Sequence, residues 1–167
     1  MALKFKQVDV FTATPFKGNP VAVIFGADGL DTAQMQRIAH WTNLSETTFL
    51  LKPTQSGATH RVRIFTPAQE LAFAGHPTLG TAHAAIEGGV VTPSAGKLVQ
   101  ECQMGLVGLT VEGEGTERTI TLDLPKTKTR VLNDAETTEM EAVLGAPGGR
   151  STPPRVIDVG PKGITAQ

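Results

Sequence analysis

The sequence has 167 residues, of which 40% are hydrophobic and 19% are charged, and its formal net charge is −1. These values are typical of a soluble globular protein with one domain, or with one domain and part of a second. They exclude a strongly basic surface, so we expect neither a nucleic-acid partner nor a membrane-surface partner. The first residues lack the apolar core of a signal peptide, and no apolar run approaches the ~18 residues of a membrane span.

Cysteine and histidine usage limits the possible cofactor chemistry. Cys102 is the only cysteine, which excludes an internal disulfide and favours a reduced, cytoplasmic setting. The four histidines show no recognised ligand spacing, so we predict no metal site. The sequence also lacks a glycine-rich phosphate loop and a dinucleotide fingerprint.

The first part of the chain alternates short β-prone runs with turns and one helix. The strands are predicted at 3–11, 20–25, 47–51 and 60–65. Asp31 followed by Gln34 has the pattern of a capping box and predicts a helix from there to about Trp41. Met35, Ile38 and Ala39 would form its apolar face, because they recur at helical spacing.

The centre of the sequence is the segment 75–80, Gly-His-Pro-Thr-Leu-Gly, which we interpret as a glycine turn leading into a helix. Pro77 suits the first helical position, so the helix is predicted over about 77–88, ending at two glycines. Its small residues and few charges indicate a buried helix with neighbours packed closely around it. The free N–H groups at its start would then suit a carboxylate or a developing oxyanion, with His76 beside it.

The second part begins with three more β-prone runs and then changes character. Strands are predicted at 97–102, 105–111 and 118–124, a helix at 134–144 and a last strand at 155–160. Residues 1–125 are predicted to form an α+β domain with mostly antiparallel strands around one buried helix. Residues 126–167 are too few for a core of their own, so we interpret them as a linker and the start of an incomplete second domain.

Two side chains could carry acid/base chemistry. Glu46 stands at the mouth of an apolar strand, where partial desolvation would suit a general base, although its position alone favours a solvated turn glutamate. His76 could bind a substrate carboxylate or move a proton, or it could cap its own helix or bond a backbone carbonyl. Asn19, between Gly18 and Pro20, is either a turn residue or an amide facing a substrate. Cys102 is predicted to be a core residue of a strand.

Three segments resemble the PhzF-like family of phenazine-biosynthesis isomerases. They are VDVFTATPFKGNPVAV at 8–23, MQRIAHWTNLSETTFLL at 35–51 and RIFTPAQELAFAGHPTLGTAHA at 63–84. The order and spacing of GNP, NLSET and FAGHPTLG are specific to this family. The resemblance implies a diaminopimelate-epimerase-like fold, in which two similar domains each wrap a barrel-like sheet around a central helix, with the active site between them.

The resemblance also implies a function. It implies a cofactor-independent isomerase in which Glu46 removes and returns a proton on a small carboxylate-bearing substrate, cyclic or amino-acid-like, and His76 assists. The implied substrate-binding residues are Asn19, Ser45, Gly75, Pro77 and Thr78. A homodimer is implied for a full-length member.

The departures from the family pattern also carry expectations. Epimerases of this fold that use paired cysteines would carry one where Gly75 stands, which disfavours a thiol mechanism. Ala72 replaces a more common proline, a minor change. The second half of a family member is absent from these residues, so we expect little or no turnover by this chain alone. A binding protein of this family without turnover is the alternative.

Overall fold

The structure is a computed structural model that describes residues 2–148, 152–158 and 162–166. Its contacts divide the chain into two compact units, Met1–Leu124 and Pro125–Gln167. None of the helices in these described ranges has the length and apolarity that a membrane span requires.

The first unit contains an eight-stranded sheet. Its strands are β1 Phe5–Val10, β2 Asn19–Phe25, β3 Glu46–Leu51, β4 His60–Phe65, β5 Glu70–Leu71, β6 Lys97–Cys102, β7 Gly105–Glu112 and β8 Thr119–Leu122. The sheet order is β1-β2-β3-β4-β6-β7-β8, and the short β5 pairs with β4. Neighbours are antiparallel except β2 with β3 and β4 with β6, which are parallel. The longer predicted strands are confirmed, but the two-residue β5 has no signal in the sequence.

Two helices pack against this sheet, α1 Thr32–Thr42 and α2 Gly75–Glu87. Helix α2 contacts β1 and β8, which lie at opposite ends of the sheet order, and it also contacts β2, β3 and β4. A sheet whose two ends meet the same helix must curl around that helix. The predicted α+β architecture, with a barrel-like sheet around a central helix, is therefore confirmed.

Small residues allow α2 to lie close to the sheet. A Cβ atom on Gly80 would lie 2.4 Å from Val21 Cγ1 and 2.8 Å from Val10 Cγ2, closer than real carbon atoms approach. Ala82, Ala84 and Ala85 are also buried in the same core. The low side-chain volume of α2 therefore sets how deeply the helix enters the curl of the sheet.

Helix α1 packs elsewhere and begins as predicted. Asp31 and Gln34 form both hydrogen bonds of a capping box, at 2.7 and 2.9 Å. Met35 and Ala39 pack in a second core cluster that includes Phe49 of β3. This cluster shares no buried residue with the core around α2, so α1 and α2 bury different surfaces of the sheet.

The start of α2 differs from the prediction. The helix begins at Gly75 rather than at 77, so Pro77 is its third residue and Gly75 is not part of a turn. The physical reason is that the first N–H groups of any helix lack intrahelical partners, so proline is tolerated throughout the first turn. Two residues of the predicted glycine turn are thus helical, and His76 is held by the helix itself.

The second unit contains β9 Lys128–Val131, α3 Asp134–Leu144, β10 Arg155–Asp158 and β11 Lys162–Thr165. The strands form an antiparallel sheet in the order β11-β10-β9. The predicted helix at 134–144 is confirmed, while β9 and β11 were not predicted. Of the last predicted strand, positions 159 and 160 lie outside the described residues.

Candidate active site

Glu46 and His76 meet at the start of the central helix. Glu46 is the first residue of β3, and His76 is the second residue of α2. Glu46 Oε2 lies 3.3 Å from His76 Nε2, and the two side chains are only 16% and 9% exposed. The fold therefore brings together two titratable groups that lie thirty positions apart in the sequence.

Buried threonines hold the two elements that carry this pair. The hydroxyl of Thr81 on α2 lies 2.8 Å from the hydroxyl of Thr48 on β3. It also lies 2.6 Å from the carbonyl oxygen of Pro77, in the first turn of α2. Thr48 in turn donates to the carbonyl of Ala22 on β2. These contacts fix the first turn of α2 against β3 near the pair, because each buried hydroxyl needs its partner.

The facing atoms of the pair have no other partner. Both Glu46 Oε2 and His76 Nε2 are buried, and neither forms a hydrogen bond of good geometry with any described residue. Buried polar atoms are normally satisfied, so an unsatisfied pair is unusual and points to a role beyond folding. Because a carboxylate oxygen and an unprotonated imidazole nitrogen are both acceptors, the pair can hold one proton between its facing atoms.

The surroundings of His76 favour its neutral form. Burial lowers its pKa, and the charge of Glu46 and a hydrogen bond to the backbone of Pro20 only partly oppose this. Proline has no N–H, so the Pro20 carbonyl must accept from the ring. Since Nε2 is the unpartnered nitrogen, we assign the proton of the neutral ring to Nδ1, which leaves the Nε2 lone pair facing Glu46.

The start of α2 is open to an anion. Its cap residue Ala74 provides no side-chain oxygen, and no side chain among the described residues caps this helix. Helices α1 and α3, in contrast, each begin with a complete capping box. The N–H groups of Gly75 and His76 therefore lack intrahelical acceptors and lie at the positive end of the helix dipole.

Asn19 and Ser45 lie at the same end of the sheet as Glu46. Val21 is paired with Glu46 in the parallel ladder, so Asn19, two residues before Val21, lies near Ser45, which directly precedes Glu46. The Ser45 hydroxyl lies 3.3 Å from the Asn19 side-chain oxygen, to which it donates. Ser45 is exposed and Asn19 half-buried, so both keep polar atoms accessible beside the pair.

The other predicted binding residues differ in accessibility. Gly75 is half-buried, whereas Pro77 and Thr78 are buried. The Thr78 hydroxyl accepts a hydrogen bond from Gln100 Nε2 on β6, at 2.9 Å. These contacts favour an anchoring role for Thr78, while the uncapped N–H groups at the helix start remain the better candidates for ligand contact.

Two further observations concern metals and thiols. No group of three His, Cys, Asp or Glu side chains within the described ranges is arranged to hold a metal ion. Cys102 is buried with Phe73 and Val107, as predicted for a strand core residue, and burial raises the pKa of its thiol. That environment makes the thiol a poor nucleophile.

Phe11 was not predicted to belong to the site. Its ring centroid lies 6.4 Å from that of His76, and the residue is 71% exposed. A phenylalanine at the end of an alternating strand is normally expected in the core, so the sequence pattern does not predict an exposed ring beside His76. Its left-handed backbone, at φ 68°, is a feature that the sequence does not signal.

A separate cavity lies within the second unit. It has a volume of about 750 Å³ and is lined mainly by apolar residues such as Leu132, Met140 and Ile164. Two of its charged lining residues, Arg130 and Glu136, form a bidentate ion pair with each other. We place the candidate site at Glu46 and His76 because chemistry requires unsatisfied polar groups, and volume alone does not supply them.

Known proteins resemble this chain over most of its length. The family model for phenazine biosynthesis-like proteins (PhzC–PhzF) matches residues 8–167. Antisense-enhancing sequence 1 of Schizosaccharomyces pombe is 50% identical over 167 residues, which cover 98% of this chain and 56% of that protein. A trans-2,3-dihydro-3-hydroxyanthranilate isomerase of Pseudomonas fluorescens is 48% identical over 131 residues, which cover 77% of this chain and 45% of the isomerase. The chain thus spans about half the length of the curated relatives it matches.

The fold of this chain also resembles that of a solved protein. The solved structure of a predicted epimerase from Pseudomonas aeruginosa aligns with a TM-score of 0.82 at 27% identity, over 96% of this chain and 57% of that one. The predicted fold class, with a barrel-like sheet around a central helix, is thereby confirmed. With a family model that matches almost every residue and relatives that share half of its sequence, the chain belongs to the phenazine biosynthesis-like family of PhzF-type proteins.

Proposed function

We propose that Glu46 and His76 are the acid/base pair of a cofactor-independent isomerase, which moves a proton within a small carboxylate-bearing molecule. The observation that carries the proposal is the contact of two buried, otherwise unpartnered atoms, Glu46 Oε2 and His76 Nε2, at 3.3 Å. A pair of this kind can hold a proton in transit without a metal or a cofactor.

The proposed step balances within the substrate. The ionised Glu46 carboxylate removes a proton from a substrate carbon, and the electrons of the broken C–H bond remain in the substrate as a conjugated anion. His76 Nε2 accepts a hydrogen bond from the protonated Glu46, since its lone pair faces Oε2 while Nδ1 bonds Pro20. Glu46 then returns the proton to a different carbon, so no oxidant or reductant is needed.

The substrate class follows from the open helix start and from the relatives. The free N–H groups of Gly75 and His76 suit the carboxylate of the substrate, and Asn19 and Ser45 add polar atoms nearby. One relative, at 48% identity, is an isomerase of a dihydro-hydroxyanthranilate, which is a ring that bears a carboxylate. We propose a substrate of that class, cyclic or amino-acid-like, for this protein.

The test is proton exchange at the substrate carbon in deuterated solvent. With trans-2,3-dihydro-3-hydroxyanthranilate and the full-length protein, Glu46→Gln should lower the exchange rate by about two orders of magnitude or more, the usual contribution of a general base. The matched control is Glu87→Gln, because Glu87 also lies 3.3 Å from a histidine, His83, but at the surface. Equal exchange by the Glu46→Gln variant and the unaltered protein would remove Glu46 from the mechanism.

The activity of these 167 residues by themselves is a separate proposal. The relatives are about twice as long, and we propose that residues beyond this span complete the site. The isolated chain should therefore bind the acid but show little turnover in a steady-state assay, and full turnover would contradict this.

We also propose that the full-length protein is a homodimer, which sedimentation can test. A cytoplasmic setting is proposed as well, and cell fractionation can test it.

A second candidate is a small-molecule- or partner-binding protein without turnover. The relative that is 50% identical has a name that describes an antisense effect rather than an isomerisation. Carboxylate binding at the helix start, combined with no proton exchange in the full-length protein, would favour this candidate.

A further inference from the structure

Phe11 lies beside the candidate site in an exposed position. It follows β1 directly, and its ring is tilted by 51° to the His76 ring, with the centroids 6.4 Å apart. Because Phe11 is 71% exposed, burial of its ring contributes little to the stability of the fold. The exposed aromatic group is thus a neighbour of the buried His76 ring, whose Nε2 has no hydrogen-bond partner.

The backbone of Phe11 is held in a conformation that bulky side chains disfavour. Phe11 and Phe16 both have positive φ values, 68° and 66°, in the loop between β1 and β2. The loop is fixed by other contacts, since Asp9 accepts from the Lys17 N–H at 3.2 Å. Gly18 adds to this, because a Cβ there would lie 2.1 Å from the Val10 carbonyl oxygen. A small or polar residue would suit position 11 better, so the ring is unexplained by folding alone.

We infer that Phe11 is a specificity-determining residue, which packs against the face of an unsaturated ring in the ligand. This inference rests on the proposed function, in which the carboxylate of the ligand lies at the start of α2. The ligand would then have a charged end at the N–H groups of Gly75 and His76 and a flat apolar face against Phe11. Aromatic rings pair at centroid separations of ~4.5–7 Å, which a planar ring beside Phe11 can reach.

The inference is tested by binding two acids that differ only in the planarity of the ring, benzoate and cyclohexanecarboxylate. Binding is followed through the imidazole resonances of His76 by NMR. We expect the chain to bind benzoate more tightly, and Phe11→Leu to make the two affinities equal. Phe11→Asn should weaken benzoate about three- to tenfold, the usual contribution of an aromatic contact.

Phe16→Asn is the matched control, since Phe16 has the same residue type and backbone conformation but is 97% exposed. Both asparagine variants should raise Tm by about 2–4 °C, because asparagine tolerates the left-handed conformation. Only Phe11→Asn should weaken benzoate. If both variants are stabilised and only Phe11→Asn loses benzoate affinity, the phenylalanine at position 11 serves ligand binding rather than folding.

Other outcomes separate the two proposals. If benzoate perturbs His76 equally in the Phe11→Asn variant and the unaltered chain, the role of Phe11 is refuted and the carboxylate site stands. If neither acid perturbs His76, the carboxylate site fails and the inference fails with it. If Phe11→Asn instead abolishes self-association in sedimentation without changing benzoate affinity, Phe11 covers a second copy of the chain and the inference is overturned.

Discussion

The Glu46 carboxylate acts on His76 through its charge, and this can be measured without turnover. Burial lowers the pKa of His76, while the charge of Glu46 raises it and thus reduces the shift. Glu46→Gln removes that charge, so the pKa of His76 should fall further below its ordinary value. The measurement is an NMR titration of the His76 ring.

Glu87→Gln is the control for this titration. Burial lowers the pKa of His83, and Glu87 raises it, so the substitution should lower the pKa of His83 and leave His76 unchanged. A His76 pKa that rises or does not move in the Glu46→Gln variant would show that the two groups are not coupled in solution.

Local sequence signals predict only part of the candidate site. Position alone favoured a solvated glutamate at 46, because a residue at the mouth of a strand is usually in solvent. The contact with His76 depends on how α2 packs against β3, where the hydroxyls of Thr81 and Thr48 meet although the two residues are distant in sequence. The family motifs pointed to Glu46 and His76, but no motif indicated that the Pro20 carbonyl fixes the ring or that Phe11 lies beside it.

At the scale of elements, the depth of α2 in the sheet depends on Gly80. Gly80→Ala should destabilise the fold by about 1–3 kcal/mol, as overpacking a core does, despite the higher helix propensity of alanine. The reason is the 2.4 Å approach of the new Cβ to Val21 Cγ1. Urea unfolding with constant m-value measures the change.

Gly29→Ala is the control for this substitution. An added Cβ at Gly29 meets no heavy atom within 4 Å. That variant should unfold within about 0.5 kcal/mol of the original chain. Val21→Ala added to Gly80→Ala should recover part of the loss, and an absence of any loss in the single variant would mean that α2 is not held at this depth.

The elements predicted correctly are those with local signals. Residues close together in the sequence determine the capping box of α1, the alternation of the longer strands and the helix at 134–144. The start of α2 was misplaced because proline is allowed at several first-turn positions, so it does not fix one of them. Strand β9 was missed because its four residues are all exposed, and its pairing with β10 alone makes it a strand.

For the whole molecule, a buried histidine makes stability depend on pH. His60 is almost fully buried, and burial lowers its pKa from 6.5 to about 4. The unfolded chain binds a proton at His60 more readily than the folded chain does. The contribution of His60 to the free energy of unfolding is therefore constant above pH 6.5, and stability falls as the pH drops from 6.5 to 4. The loss is about 1.4 kcal/mol per pH unit, or about 3 kcal/mol in all.

His60→Gln should flatten this part of the curve of unfolding free energy against pH, measured by urea unfolding at several pH values. Glu101 acts in a different range. Although burial raises its pKa, hydrogen bonds from Thr54 and Gln55 and the charge of Arg61 lower it overall. Its stabilisation is therefore lost only at more acidic pH. An unchanged slope between pH 6.5 and 4.5 in the His60→Gln variant would assign the acid sensitivity to other groups.

The uncapped start of α2 has a consequence for attempts to stabilise the protein. Ala74 has the extended backbone of a normal cap residue, so serine there could accept from the next N–H groups and gain about 1 kcal/mol. The added hydroxyl would then act as a tethered competitor for the position proposed for the carboxylate of the substrate. A thermostability screen would therefore retain Ala74→Ser, while a screen for carboxylate binding would reject it.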